Sequence, residues 1–511
     1  MRILTTALPA PVRWPSRRPG GFDHGLLPAF YPAAGTEALL ARLEHPEALL
    51  VSTGQQPALF TGPLYAIHKA LSAAALARAL EARWEVPVQA VFWVAGDDHD
   101  FAEANHAGWL GRDGTLHRSE LPARPPDAPL TPMYREILGD GIEARLEEFE
   151  QGLPPSEYLE PVFAWLRRHY RAGATVAGSF GHALAEILAP HGVLCLDSTH
   201  LAVKQAAAPH LLRALDDAAG LEEDLLGRHA TLTGAGNDPG VTVGDGATLV
   251  MLEASQGRDR LVRQDGGFVT RRSGERFSLE ALRAVADGEP TRLSGNVLLR
   301  PVIETLLLPT VAYAAGPGEL RYLPLCAPVY RHFGAVTQLP VPRWSGMLVE
   351  PRVDRVLAKF GATLEELLEP GGGLEARVVR SQVPEEVLRI LAGLRAAVHQ
   401  AYDGLEPLVK EIDPTMQKPA ETARHRMMHQ AEELEKRLVA HQKKRQETEM
   451  TQISRARAAV RPDGKPQERV LCAPPLLARY GFDLLGLIAE HIDGWYRTAL
   501  VDDGAAVSWN S

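Results

Sequence analysis

The arrangement of apolar residues in the first part of the chain predicts alternating strands and helices. A short apolar segment at 49–54 precedes an alanine-rich stretch at 63–84, in which apolar positions recur at helical spacing. A second apolar run at 88–96 is continuous and rich in β-branched and aromatic residues. Strand, helix and strand in close succession indicate a βαβ unit, and therefore a parallel sheet with helices on its faces. Runs at 191–198 and 297–322 extend this pattern.

Two less regular regions are expected to leave this sheet and return to it. Residues from about 107 to 170 are polar and proline-rich, with two helical pieces. Residues from about 230 to 280 are glycine-rich and alternate apolar with polar positions, which is typical of antiparallel strands. The pattern therefore predicts an α/β core over residues 1–380 that carries these two insertions.

After residue 380 the spacing of apolar residues changes to alternating steps of four and three, the pattern of a coiled-coil seam. Its positions are Val387, Leu391, Leu394, Val398, Ala401, Leu405, Leu408 and Ile412. Asp413-Pro414 ends this helix, because proline disfavours a helical residue before it. A second long helix from about 419 to 460 follows, so residues 381–462 are predicted to form an antiparallel coiled coil. Residues 463–511 are expected to return to the core.

Composition narrows the class of protein. The 511 residues contain 54 Lys and Arg against 64 Asp and Glu, a net charge of −10, which argues against a general nucleic-acid binder. The three cysteines, Cys195, Cys326 and Cys472, are too few and too widely spaced for a disulfide framework, so we expect a reducing, cytoplasmic setting. No uncharged apolar run approaches the ~20 residues of a membrane span, and the start of the chain does not resemble a signal peptide.

The first polar cluster lies where the first predicted strand passes into a helix. Its members are Gln55, Gln56, Thr61, Gly62, Tyr65, His68 and Lys69. Free backbone N–H groups at a helix start favour anions, and side chains lean towards that end of the helix. His68 and Lys69 could therefore meet a phosphate or carboxylate there. The motif is neither a Walker A loop nor GxGxxG, and a capped turn with solvent-facing His68 and Lys69 is the alternative.

The second cluster, GDDHDFAEANH, follows the second predicted strand, again at the edge where open α/β sheets bind ligands. It concentrates acid–base groups: Asp97, Asp98, His99, Asp100, Glu103 and His106. The carboxylates could orient a substrate amine, with His99 as the general base. Alternatively, Asp and His side chains could bind a divalent metal, or the segment could be a polar loop that caps a helix.

Two further motifs carry polar groups at predicted turns. Asn296 and Arg300 precede an apolar helix, and a turn from Gly316 to Glu319 follows the next strand. Arg300 could pair bidentately with a carboxylate or phosphate, or form a buried salt bridge with Glu304 or Glu319. In the later segment PDGKPQER, the side chains of Lys465, Gln467 and Arg469 could contact a nucleotide phosphate, or the segment could serve as a plain hinge.

Together these motifs resemble one family. TGQQPALFTGPLYAIHKALSA, VFWVAGDDHDFAEANH, SGNVLLRPVIETLLLPTVAYAAGPGELRY and PDGKPQER are similar, in this order, to segments of the BshC family, to which the cysteine-ligase step of bacillithiol biosynthesis is ascribed. The resemblance spans nearly the whole chain. It implies a Rossmann-like core with inserted connecting segments, an antiparallel coiled coil and a homodimer. The implied reaction joins L-cysteine to glucosaminyl-malate, and the resemblance also implies a bound adenine nucleotide (ATP or ADP), which Mg²⁺ could accompany. No transition metal is expected, because cysteine ligands are absent from the acidic cluster.

A mechanism can be sketched on these positions. Amide formation requires an activated carboxylate, so Thr61, Gly62 and Lys69, assisted by His68, would handle the anionic part of the activated acid. Asp97, Asp98 and His99 would receive the amine. Asn296, Arg300 and Glu319 would complete the pocket.

Two other functional classes remain open at this point. One is a metal-dependent hydrolase built on GDDHD. The other is a non-catalytic scaffold whose coiled coil is the functional part. The clustering of polar groups at three predicted strand ends favours an enzyme over the scaffold.

Overall fold

A computed structural model describes residues 1–6, 12–381, 385–445 and 447–502. The chain divides into two compact units. The α/β unit comprises residues 3–347 and 467 onward, and the helical unit comprises residues 1–2 and 348–466.

The chain up to residue 347 supplies most of the α/β unit. Its strands are β1 (Arg2–Thr5), β2 (Val12–Arg13), β3 (Leu49–Gln55), β4 (Val88–Val94), β5 (His106–Leu110), β6 (Leu116–Glu120), β7 (Val193–Asp197), β8 (Ala247–Ala254), β9 (Gly257–Gln264), β10 (Gly267–Thr270), β11 (Arg276–Phe277), β12 (Leu293–Gly295), β13 (Thr310–Ala315) and β14 (Leu339–Pro342). Its helices are α1 (Thr36–Ala41), α2 (Tyr65–Trp84), α3 (Phe101–Ala104), α4 (Gly141–Gly152), α5 (Leu159–His169), α6 (Val176–Leu188), α7 (Leu201–Asp216), α8 (Ala218–Gly234), α9 (Leu279–Gly288), α10 (Arg300–Leu307), α11 (Pro317–Tyr322) and α12 (Ala327–Phe333).

The rest of the chain is mainly helical. It contains β15 (Gly346–Val349), α13 (Pro351–Phe360), α14 (Leu364–Leu368), α15 (Gly373–Ser381), α16 (Glu385–Ile412), α17 (Gln417–Arg445), α18 (Glu447–Val460), α19 (Gln467–Val470), α20 (Pro474–Tyr480), α21 (Asp483–Ala499) and β16 (Leu500–Val501). No helix among the described residues combines the length and the apolar character that crossing a bilayer requires.

The core of the α/β unit is a five-stranded parallel sheet in the order β14-β13-β3-β4-β7. Strands β3 and β4 pair along their whole length, from Leu49 opposite Val88 to Gln55 opposite Val94. All seven residues of β4 are buried, which is characteristic of a central strand in a sheet covered on both faces. The parallel sheet predicted from the apolar runs is therefore confirmed.

The two insertions have different structures. The first contains helices α4 and α5, as its pattern indicated, together with an antiparallel hairpin of β5 and β6 that the sequence reading missed. The second forms an antiparallel sheet in the order β11-β10-β9-β8-β12. Its last strand, β12, leads directly into α10, so the antiparallel sheet ends beside Arg300.

In the helical unit, α16 and α17 are antiparallel, because ion pairs and contacts join Arg395 to Glu435 and Tyr402 to Met427. The predicted coiled coil is confirmed, but the predicted seam is correct only in part. Leu391 and Val398 are buried, whereas four other seam residues are exposed: Leu394, Leu405, Leu408 and Ile412. A helix with 3.6 residues per turn drifts from a 3.5-residue repeat, so partly buried Arg395 and Tyr402 take the facing positions instead.

The main segment of the helical unit begins at residue 348 and so includes α13, α14 and α15, whereas the coiled coil was expected to begin at residue 381. These helices contact the second half of the hairpin. The Arg457 side chain on α18 donates to the Leu367 carbonyl at 2.9 Å and to Glu375 Oε2 at 2.8 Å. The predicted second helix is seen as α17 and α18, and the side chains of its polar stretch at 439–446 lie outside the described residues. Homodimer formation and a cytoplasmic setting stay predictions.

A buried ion cluster fastens the C-terminal segment, residues 467–502, to the rest of the α/β unit. The Glu468 carboxylate accepts hydrogen bonds from Arg343 Nη2 at 2.6 Å, His68 Nδ1 at 2.9 Å and Ser345 Oγ at 2.7 Å. Burial alone would raise the pKa of Glu468, but hydrogen bonds from His68 and Arg343 hold this pKa well below its ordinary value. His68 itself is neutral, since burial lowers its pKa.

Replacing Glu468 by Gln should lower the free energy of unfolding by about 3–5 kcal/mol at neutral pH, because it leaves the buried Arg343 charge unpaired. Urea denaturation measures this difference. A carboxylate with a depressed folded-state pKa stabilises the protein above the ordinary Glu pKa of about 4.3 and progressively loses this effect at lower pH. The gap between wild type and Glu468→Gln should therefore shrink in acid.

The exposed Glu490→Gln on α21 is the matched control and should behave like wild type throughout. A Glu468→Gln protein as stable as this control at neutral pH would show that the buried cluster does not hold the C-terminal segment in place.

Candidate active site

A cavity of about 440 Å³ opens at the carboxyl edge of the parallel sheet. The ends of β3 and β4 contribute Gln56 and the loop that starts at Asp97, while α7, the antiparallel sheet and α10 complete the lining. The predicted location at the strand ends is the one open α/β sheets use for ligands. What the sequence could not show is that a second sheet closes the other side.

One wall of this cleft is acidic and comes from the loop after β4. Asp97 Oδ1 accepts a hydrogen bond from Lys204 Nζ at 2.5 Å, and the same ammonium donates to the Leu293 carbonyl at 2.9 Å. Asp98 and Asp100 order the loop by accepting backbone N–H groups two and three residues later, at 3.1 Å and 3.2 Å. Among the described residues, no three His, Cys, Asp or Glu side chains converge in a way that could hold a metal ion.

Glu103, at the outer end of the acidic wall, is a carboxylate with a perturbed proton affinity. Partial desolvation raises its pKa, and the neighbouring charges of Asp100 and Asp98 raise it further. A hydrogen bond from Tyr65 and the charge of Arg469 oppose the shift. Glu103 is therefore a stronger base than an ordinary glutamate.

The facing wall is basic and comes from the antiparallel sheet and the start of α10. Arg258 and Arg260 lie two residues apart on β9, so their side chains share one face of the strand. Arg300 is the first residue of α10. Within the described chain, none of these three guanidinium groups has a carboxylate within 4 Å. The wall therefore carries positive charge that a ligand can neutralise.

Two arginines of the basic wall, Arg258 and Arg300, differ in how many hydrogen bonds their guanidinium groups make within the protein. Arg258 is fixed: Nε donates to Ser294 Oγ at 2.9 Å, and Nη2 donates to the Gly295 carbonyl at 2.9 Å. Arg300 has one long contact, from Nη2 to the Tyr322 hydroxyl at 3.5 Å. The salt bridge to Glu304 or Glu319 that was the alternative for Arg300 is not formed. Its guanidinium is thus available for a bidentate anion.

Eight of the residues singled out in the sequence line this cleft together. They are Gln56, Asp97, Asp98, His99, Asp100, Glu103, Asn296 and Arg300. Asn296 has a structural task as well, because its Oδ1 accepts the N–H groups of Leu298 and Leu299 at 3.0 and 3.1 Å and so orders the entry to α10. Gln55 and Tyr65 lie beside the cleft, joined by a hydrogen bond of 3.2 Å.

The expected anion site at the start of α2 is absent from the cleft lining. The Leu64 N–H donates to the Leu471 carbonyl at 2.8 Å, so the C-terminal segment occupies this helix end. The Thr61 N–H donates to the Tyr170 hydroxyl at 2.8 Å, and neither Thr61 nor Gly62 lines the cavity. His68 is bonded to Glu468. The solvent-facing alternative for His68 and Lys69 is also wrong, since both are buried.

Lys69 instead supports the rim of the cleft from beneath. Its Nζ donates to Glu319 Oε1 at 2.8 Å and to Gln55 Oε1 at 3.3 Å, as well as to the Gly54 carbonyl. Glu319 also accepts the Gly316 N–H at 2.7 Å and the Tyr313 hydroxyl at 2.7 Å. With its donors occupied and its side chain only 3% exposed, Lys69 holds the strand end and the α11 turn together.

The residues of PDGKPQER are divided between the two structural units. Lys465 belongs to the helical unit, whereas Gln467 and Arg469 belong to the α/β unit. Gln467 is buried, and Arg469 is exposed and acts electrostatically on Tyr65 and Glu103.

Three charged lining residues were missed in the sequence analysis: Lys204, Arg258 and Arg260. The alternation of arginines in GRDRLVRQ was a visible signal that one strand face is basic. The basic face of β9 lies opposite the GDDHD loop because of contacts between distant parts of the chain, which a local sequence pattern does not predict.

Comparison with known proteins agrees with this architecture. The N-terminal Rossmann-like domain of bacillithiol biosynthesis BshC matches residues 29–344, and the BshC C-terminal coiled-coil domain matches residues 346–495. The chain belongs to the BshC family.

Relatives in this family carry the name "Putative cysteine ligase BshC". The protein of Koribacter versatilis is 32% identical over 445 residues, which cover 87% of this chain and 82% of the relative. That of Symbiobacterium thermophilum is 31% identical over 483 residues, covering 90% and 85%. That of Heliobacterium modesticaldum is 32% identical over 463 residues, covering 89% and 83%.

The role of Arg300 in binding anions in this BshC-family cleft can be tested with a small ligand. A small dicarboxylate such as succinate should bind at least tenfold more weakly to Arg300→Met, because a hydrogen bond to a charged group contributes about 1.5–3 kcal/mol. Isothermal titration calorimetry measures the dissociation constant.

Arg321→Met is the matched control, since Arg321 lies on α11, is exposed and pairs with Asp238 away from the cleft. Equal affinity of wild type, Arg300→Met and Arg321→Met would show that the available guanidinium is not the anion site.

Proposed function

We propose that this protein is a cysteine ligase of bacillithiol biosynthesis, which forms an amide bond between the carboxyl group of L-cysteine and the amine of glucosaminyl-malate. One observation carries the proposal: an acidic wall and an unneutralised basic wall face each other across a single cavity. Family membership and the names of the relatives support the same reaction class.

The charges of glucosaminyl-malate match those of the cleft. Its malate part carries two carboxylates, and the available Arg300 guanidinium would bind this part of the molecule. Its amino sugar carries one ammonium group, which the carboxylates of Asp98 and Asp100 would attract. Between the walls, Trp93, Met251 and Ile303 provide apolar surface that limits water and strengthens both interactions.

The carboxyl group of cysteine must be activated before an amine can displace its oxygen. A nucleoside triphosphate, expected to be ATP with Mg²⁺, supplies this chemistry by forming an acyl-phosphate or acyl-adenylate. The residues present fit such a co-substrate, since Arg258 and Arg260 offer positive charge with no carboxylate partner among the described residues. Mg²⁺ would then be held mainly by phosphate oxygens.

The attacking amine must lose a proton, and Glu103 is the proposed acceptor. It lines the cavity, and its raised pKa brings its basicity closer to that of the group it must deprotonate. Asp98 and Asp100 line the same cavity, and their carboxyl groups would hold the substrate nitrogen before transfer.

The proposal is tested by thiol profiling of a host strain that lacks this gene and is supplied with glucosaminyl-malate. The strain should lose bacillithiol and accumulate glucosaminyl-malate, and the wild-type gene should restore the thiol. A gene encoding Arg300→Met should restore little of it, whereas Arg321→Met should restore it fully. An unchanged thiol pool in the deletion strain would contradict the proposed function.

Glu103→Gln should lower turnover by about 10²–10⁴, the usual contribution of a general base, with little change in substrate affinity. Because the base must be unprotonated and its pKa is raised, wild-type turnover should fall on the acid side at a pH above the ordinary Glu range. The turnover of Glu103→Gln should not show this fall at acidic pH. The exposed Glu147→Gln on α4 is the control, and near-normal turnover of Glu103→Gln would assign the proton to another acceptor.

A further inference from the structure

His99 stands where the two walls of the cleft meet, and its ring orientation is set by Arg258. His99 Nδ1 lies 3.3 Å from Arg258 Nη1. A guanidinium group has only donors, so Nδ1 must be the acceptor in this hydrogen bond. A neutral imidazole whose Nδ1 accepts carries its hydrogen on Nε2.

This arrangement is anchored on both sides. Arg258 cannot turn away without losing its bonds to Ser294 Oγ and the Gly295 carbonyl, each 2.9 Å long. The His99 carbonyl accepts a hydrogen bond from Arg124 Nη1 at 3.1 Å, and Arg124 is itself paired with Glu136 at 2.5 Å. Backbone and ring of His99 are therefore held while the ring lines the cavity.

The charge state of His99 agrees with this tautomer. Burial lowers the pKa of His99, and the adjacent Arg258 lowers it further, while Asp98 and Asp100 oppose the shift. At neutral pH the ring is uncharged. It therefore presents a neutral N–H donor to the cleft, and its one basic nitrogen is occupied by Arg258.

We propose that His99 donates a hydrogen bond through Nε2–H to the oxygen that becomes negative when the amine attacks the activated acyl carbon, and that it does not serve as the general base. This inference rests on the proposed function. It replaces the role expected for His99 from the sequence.

The electron and proton movements balance without proton transfer to or from His99. The amine electron pair forms the new C–N bond, and the carbonyl π pair moves to oxygen, where the Nε2–H stabilises it. The bound ammonium loses two protons in total: the first is released to solvent before attack, and the second passes to the Glu103 carboxylate. The oxygen pair then re-forms the carbonyl, and the phosphate or nucleotide that activated the acyl group leaves with the electrons of its bond.

A general-base role would require a different tautomer. Nε2 would have to be unprotonated, which places the hydrogen of a neutral ring on Nδ1, directly facing the Arg258 N–H. Two donors would then oppose each other at 3.3 Å, and a buried hydrogen bond would be lost. The geometry selects the donor role for this reason.

Two substitutions separate the roles by turnover. His99→Ala removes the donor, and loss of an oxyanion-stabilising donor typically costs about 10²–10³ in kcat. His99→Gln places an amide N–H near the position of Nε2 and cannot act as a base, so it should stay within about tenfold of wild type. Equal losses in His99→Gln and His99→Ala would overturn the donor role. The exposed His24→Gln is the control and should match wild type.

Long-range ¹H–¹⁵N spectra of ¹⁵N-histidine-labelled protein, recorded without substrate, report the tautomer directly. The His99 signal, assigned by its absence in His99→Gln, should show Nε2–H, and Arg258→Met should release this preference. An active enzyme with Nδ1–H at His99 would overturn this inference alone. Wild-type protein with Nε2–H but without ligase turnover would overturn the proposed function, and the oxyanion role with it.

Discussion

The cleft depends on how the antiparallel sheet is fastened over the carboxyl edge of the parallel sheet. Two cations make this junction. Lys204 joins Asp97, after β4, to the backbone of β12, and Arg258 joins β12 to His99. Each is held by an interaction on both sides, so the acidic loop and the basic strand keep a fixed separation. Without these contacts the two walls would be independent surfaces with ordinary, solvent-screened charges.

The charges around the cleft are arranged in layers. Beneath the rim, Lys69 and Glu319 neutralise each other, so Glu319 does not pair with Arg300, which faces the cavity. Glu304, one helical turn after Arg300, is fully buried, and burial raises its pKa to about 7 against the opposing effects of Ser52 and Arg300. The guanidinium N–H groups of Arg300 are therefore not paired with Glu304 or Glu319 and can donate to a ligand. An incoming carboxylate completes a set of interactions that the folded chain leaves open.

Much of this organisation could be predicted from local sequence. The apolar runs located β3, β4, β7 and β13, and the polar clusters after β3 and β4 were expected at the ligand-binding edge of the sheet. The roles of the other predicted site residues depend on contacts with distant parts of the chain. In the sequence, the start of α2 resembles an anion site, but in the structure the Leu64 N–H donates to the Leu471 carbonyl. His68 likewise resembles a functional group, but it is hydrogen-bonded to Glu468.

The arginines of β9 illustrate the same limit. Their alternation was visible, but the register of β9 against β8 and the position of the whole antiparallel sheet determine what they face. The coiled-coil seam was misplaced for a different reason: equal apolar spacing does not distinguish a 3.5-residue repeat from a straight helix, and only packing reveals which side chains meet the partner helix.

Equilibrium binding of glucosaminyl-malate, malate and glucosamine to wild type, Asp98→Asn and Arg300→Met tests most directly whether both walls act on one molecule. Arg300→Met should weaken binding of glucosaminyl-malate and malate but not of glucosamine. Asp98→Asn should weaken binding of glucosaminyl-malate and glucosamine but not of malate. If neither substitution changes the affinity for glucosaminyl-malate, the substrate does not span this cleft, and the account given for it is contradicted.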